Sequence, residues 1–132
     1  MPPEPGSPAD WLRFARSDLA VAQGPVKQGV LLETLCFHAQ QAAEKSLKAI
    51  LLSQGISFPL THNLKVLLGL LPATLVPPLD ADVLARLTEY AASARYPGEY
   101  EEVTEDEYRE AIRLAEAVVM WAEDLLARDE RR

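Results

Sequence analysis

Apolar positions along this chain recur at three- and four-residue steps, and no segment sustains two-residue alternation. The last segment is the clearest. Tyr108, Ala111, Ile112, Ala115, Val118, Val119, Ala122, Leu125 and Leu126 form a stripe of roughly 20 residues, which is the pattern of a helix with one buried face. Thr104-Glu105-Asp106-Glu107 ahead of it reads as a capping box, with Thr104 as N-cap and Glu107 reaching back. At the other end of the chain, Ser7 as N-cap, Pro8 at the first helical position and Asp10 at the third open a helix. It carries Trp11, Leu12, Ala15, Leu19 and Ala22 on one side and stops near Gly24-Pro25. A longer helix runs from about Val30 to Gln54, with Gly55 as its left-handed terminator. Its face of Leu32, Leu35, Cys36, Ala39, Ala42, Ala43, Leu47 and Ile50 is rich in small residues, so a neighbouring helix can approach closely. Thr61 is placed as cap of a short helix, Asn63 to Leu71, closed by Pro72. Beyond Pro77-Pro78 a further helix spans about Leu79 to Ala94, with Leu84, Leu87, Ala91 and Ala94 inward, and breaks at Tyr96-Pro97-Gly98. Four long amphipathic helices with short connections predict an all-α fold, an antiparallel up-and-down four-helix bundle with a short extra helix. Residues 1–6 read as a Pro-rich, disordered lead and residues 7–132 as a single domain.

Composition narrows the function classes. With 132 residues the chain can bury a core without staples. Its single cysteine, Cys36, excludes an internal disulfide and a Cys-rich zinc site, and suits a reducing cytoplasm. No apolar run approaches the ~18 residues of a membrane span, and "MPPEPGSPAD" lacks the basic and apolar regions of a signal peptide. The formal charge of −7 repels a polyphosphate, so nucleic acid would need a local basic patch or an oligomer interface.

Three stretches carry candidate chemistry. On the second helix Thr34, His38, Gln41, Lys45 and Lys48 form a polar stripe beside the small-residue seam. Such a stripe can bind an anionic ligand or a partner chain; alternatively Lys45 and Lys48 face solvent and His38 sits at the rim of the core. The acids from Glu101 to Glu107 sit at and before a helix start, where the backbone dipole favours negative charge. A metal site built from Glu101, Glu102, Glu105 and Asp106 has no nearby His to support it, so no metal is expected. Arg95 stands alone before Tyr96-Pro97-Gly98, either as a helix-end cation or as a gripping residue.

The stretch "FHAQQAAEKSLKAILLSQGISFPLTHNLKVLL" resembles the signature of the HEPN domains (higher eukaryotes and prokaryotes nucleotide-binding). There an aromatic-His-x-x-Gln-x-x-Glu-Lys-x-x-Lys-Ala helix is followed by Pro-x-x-His-x-Leu. "ARYPGEY" resembles the Arg-Tyr-Pro turn before the final helix of one prokaryotic branch. The resemblance implies the same bundle fold and offers two roles. Many HEPN proteins are metal-independent ribonucleases, with an Arg followed after four to six residues by a His, paired across a dimer. The His moves a proton while the Arg holds the scissile phosphate. Here Arg95 matches the Arg, but Tyr100 fills the place of the His, and neither His38 nor His62 lies downstream of an Arg at that interval. A Tyr of ordinary acidity, near 10, is a poor base at neutral pH.

The second role is a module with a minimal nucleotidyltransferase, often of toxin–antitoxin type. In it Arg95 grips a nucleotide phosphate or a partner carboxylate, and Tyr96 or Tyr100 supplies a stacking face or an acceptor hydroxyl. The expectation taken from the resemblance is this second role, a binding rather than enzymatic one. The ligand-binding candidates are Arg95, Tyr96, Lys45, Lys48 and His38, with no cofactor beyond a nucleotide ligand. Self-association as a homodimer or higher oligomer is expected, through the second helix or the last. The rivals are an RNA endonuclease using Arg95 with His38 or Tyr100 as an unusual base, and a purely structural oligomeric adaptor.

Overall fold

The computed structural model describes residues 2–130. Those residues form five helices: α1 (Pro8–Gln23), α2 (Leu32–Ser53), α3 (Leu64–Gly69), α4 (Ala81–Arg95) and α5 (Glu105–Glu130). No strand occurs among the described residues. The expected all-α bundle is present, and its caps show why the elements begin where they do. Ser7 Oγ accepts from the Asp10 amide at 3.2 Å, and Asp80 Oδ1 accepts from the Val83 amide at 2.9 Å. The capping box closes in both directions, Glu107 N–H to Thr104 Oγ1 at 3.1 Å and Thr104 N–H to Glu107 Oε1 at 3.0 Å. Gly55 adopts φ 71°, and the Ile56 amide reaches back to the Leu51 carbonyl at 2.9 Å, which ends α2 as expected.

One cap differs from the sequence reading. Asn63 caps α3, its Oδ1 accepting from the Lys65 amide at 3.0 Å, while Thr61 Oγ1 accepts from the Asn63 amide at 3.1 Å. Thr61 therefore shapes the approach to the helix rather than its first turn. Both residues are good caps, and the path of the connection decides between them. The helices are also one to two residues shorter than expected at several ends. Leu79 precedes the α4 cap, and Leu70 and Leu71 follow α3. At the chain start, Glu4 C=O accepts from the Ser7 amide, and the Gly6 amide donates to Asp10 Oδ2 at 3.0 Å.

α2 is the central element and packs against each of the other four helices. Pairs across α1 and α5, Arg16–Glu123 and Gln23–Glu116, run antiparallel, as do Trp11–Lys48 and Asp18–His38 across α1 and α2. The bundle is thus up-and-down, and among the described residues α1 and α4 do not touch. The core holds the predicted small seam, with Cys36, Ala39, Ala42, Ala43 and Leu47 fully buried against Leu84, Leu87, Ala111, Ala115 and Val118. Leu114, outside the predicted stripe of α5, is buried too. Helix polarity brings the end of α1, the start of α2, the end of α4 and the start of α5 to one pole. Two hydrogen bonds fasten it: Tyr108 donates to the Ala22 carbonyl at 2.6 Å, and Glu33 Oε1 accepts from the Val103 amide at 2.9 Å. Arg95 lies there over the ring of Phe37.

Candidate functional site

The polar stripe of α2 is divided by the fold into two networks. In the first, Asp18 of α1 bridges two stripe residues: His38 Nδ1 lies 2.9 Å from Oδ1, and Lys45 Nζ donates to Oδ2 at 2.6 Å. The carboxylate is mostly covered and both partners are half-buried. In the second, Lys48 is inside the protein, its side chain 8% exposed. Its Nζ donates to Glu44 at 3.1 Å and faces the rings of Trp11 and Phe58 at 5.6 and 5.4 Å. His62 Nδ1 meets the other Glu44 oxygen at 2.9 Å, and Gln40 donates to the His62 carbonyl at 2.7 Å. Glu44, Lys48 and His62 of the sequence signature thus join into one strap. It ties the α2–α3 connection to α2.

Arg95 is situated differently. It is the last residue of α4, half-buried, with its guanidinium carbon 5.2 Å from the Phe37 ring centroid. No ion pair engages it among the described residues, although Arg13, Arg16, Arg86 and Arg109 each hold a carboxylate. Its Nη2 is enclosed without a hydrogen-bond partner. Leaving a buried charged donor unmade costs at least ~1–3 kcal/mol. Phe37 also meets the His38 ring edge-on at 5.6 Å, so the guanidinium and the imidazole share one aromatic neighbour. No hydrogen bond joins Arg95 to His38 among the described residues.

Beyond Arg95 the chain turns at Gly98, φ 83°. Tyr96 and Tyr100 are both about half exposed, and their rings tilt together at 6.2 Å. The turn roofs a cleft of about 480 Å³ that lies between the start of α2 and the end of α4. Of the five acids from Glu101 to Glu107, the helix start uses three. Glu105 and Asp106 pair with Arg109 at 3.2 and 3.1 Å, and Glu107 closes the capping box. Among the described residues no three His, Cys, Asp or Glu side chains converge as a metal-ligand group.

These features agree with the comparisons. The model of the HEPN domain matches residues 8–125. The chain belongs to the HEPN family. Among solved structures it is similar to TT1696 from Thermus thermophilus. The two are 33% identical over 89% of this chain and 96% of that one, with a TM-score of 0.76. The archaeal HEPN homologue ST0689 is 30% identical over 90% and 97% of the two chains, with a TM-score of 0.64. No curated protein matches the chain.

Two residues of these contacts were not singled out from sequence. Asp18 faces the polar stripe from α1, where its spacing from Trp11 and Leu19 gave no reason to separate it from a solvated acid. Phe37 was visible only as the aromatic of the signature, because the ring's use depends on where α4 ends.

Proposed function

We propose that this HEPN protein is a binding module whose Arg95 takes a nucleotide phosphate or a partner carboxylate, and that it works beside a minimal nucleotidyltransferase in a toxin–antitoxin type pair. The observation that carries the reading is the state of Arg95. A guanidinium half-buried on Phe37, with no counter-ion and no side-chain hydrogen bond among the described residues, has unused capacity for an anion through the part of the group that is not enclosed. Tyr96 and Tyr100 beside it supply exposed aromatic faces. The protein is proposed to act in the cytoplasm as a homodimer or higher oligomer. A nuclease at Arg95 finds less support, since no hydrogen bond joins Arg95 to His38 among the described residues and no histidine follows Arg95 in its own stretch of chain. The Asp18 contact at His38 Nδ1 leaves Nε2 free and does not itself count against that reading. No helix among the described residues is long and apolar enough to cross a membrane.

The test is a thermal-shift titration with ATP and AMP, together with co-expression beside the nucleotidyltransferase of a neighbouring reading frame. Either a nucleotide-dependent rise in melting temperature or a stable complex is expected. Arg95→Ala should weaken it by roughly tenfold or more, the worth of one charge-assisted contact. RNA cleavage by the purified protein, abolished by the same substitution, would replace this reading with the nuclease.

A further inference from the structure

The acids of the α4–α5 connection fall into two groups. Glu105, Asp106 and Glu107 are used by the start of α5. Glu99, Glu101 and Glu102 are exposed, and no side-chain hydrogen bond or ion pair holds them among the described residues. Helix-start electrostatics does not account for these three, because they precede the cap by two residues or more and the dipole's influence fades within the first turn.

Glu102 lines the 480 Å³ cleft, and Glu99 and Glu101 are the chain neighbours of its lining residues Gly98, Tyr100 and Glu102; the walls also include Leu31, Leu32, Ala94, Pro97 and Val103. No Lys, Arg or His is among its lining residues, while Glu33 and Glu102 are. Glu33 is already turned inward onto the Val103 amide, which also answers the positive end of α2. Leu31 at the rim is 62% exposed, Tyr100 52%, and Val26 of the adjoining connection 53%. The result is an apolar slot with exposed anchors, lined by Glu102 and flanked in sequence by Glu99 and Glu101, none of which is neutralised by an ion pair among the described residues. Like charges held together raise the local negative potential and attract a complementary chain.

We infer that this cleft docks a basic segment of a protein partner, an apolar or aromatic side chain entering between Leu31 and Tyr100 while flanking Lys and Arg residues engage Glu99, Glu101 and Glu102. An anchor in a pocket with a charged rim is the usual anatomy of such recognition. The interaction is separate from the ligand of Arg95, whose side chain is outside the lining of the cleft. It deepens the partner half of the proposed function and rests on that reading, and its test uses different variants.

The probe is a fluorescein-labelled peptide with Lys and Arg on both sides of a single Phe. It is compared by anisotropy with its Asp/Glu counterpart and with a version carrying Ala in place of Phe. The basic Phe peptide should bind best and be displaced by salt. Changing Glu99, Glu101 and Glu102 together to Gln should weaken it by roughly tenfold, since rim charges contribute modestly one at a time. Leu31→Ser should weaken it independently of salt. Equal binding of the acidic peptide, or no binding of any, would overturn the proposal. So would sedimentation showing that the triple substitution or Leu31→Ser splits a homodimer, which would assign the cleft to a second copy. Circular dichroism and urea midpoints within error of the parent establish that each variant is folded.

Discussion

Individual side chains of α2 show how burial changes the meaning of a charge. Lys48 and Glu44 are almost wholly buried, at 8% and 4% side-chain exposure, so each depends on the other. Glu44→Ala leaves an ammonium boxed between Trp11 and Phe58 without a counter-ion. A loss of about 3–5 kcal/mol is expected in urea denaturation. The double change Glu44→Leu with Lys48→Met should recover much of that loss, because an apolar pair of similar volume needs no compensation. Additivity of the two single changes would show that the pair is not coupled. Cys36 belongs to the same scale. Burial, helped by Glu33 and Glu107, pushes its thiol up to about 12. A folded-state value above the ordinary 9.0 means that the contribution to stability is complete below about pH 9 and fades as pH rises towards 12. Iodoacetamide at pH 8 should therefore label Cys36 about a thousandfold more slowly than an exposed thiol. Rapid labelling without unfolding would contradict the burial.

The elements differ in how well their ends are secured. α5 starts with a complete capping box, and Thr104→Ala should cost about 1 kcal/mol by urea denaturation. α2 starts on Leu31, whose backbone is extended (φ −88°, ψ 148°) and whose side chain caps nothing. Leu31→Asp fits that conformation and should stabilise the fold by up to about 1 kcal/mol. The native residue leaves this gain unused at the rim of the cleft, as expected where a surface serves binding rather than stability. The helices themselves were legible in the sequence because caps and periodicity are local. The short helix was less so: Thr61 and Asn63 are equally suitable caps two residues apart, and only the route of the connection selects Asn63.

At the scale of the whole molecule, up-and-down connectivity brings four helix ends to one pole, and the unused chemistry lies there. Arg95 and the three free carboxylates sit at one corner of the chain, yet Arg95 leans on Phe37 while Glu99, Glu101 and Glu102 face outward. Among the described residues these opposite charges form no ion pair with one another. Arg95→Leu should leave the urea midpoint unchanged or raise stability by up to about 1 kcal/mol, because it removes an enclosed nitrogen that has no partner. A marked destabilisation would show instead that the cation is a structural member of the pole.

The sequence by itself determined the helices, their buried faces and the bundle, since each depends on residues three or four apart. It also singled out Arg95, through the signature and the Pro-Gly break that follows it. Only the tertiary structure decided which polar residues are enclosed in networks and which are not. Lys48 lies one turn from Lys45 on the same stripe, but one is enclosed by α1 and the α2–α3 connection while the other reaches Asp18 at the edge. A charge becomes structural or available according to what a distant segment lays beside it, and that pairing has no period along the chain.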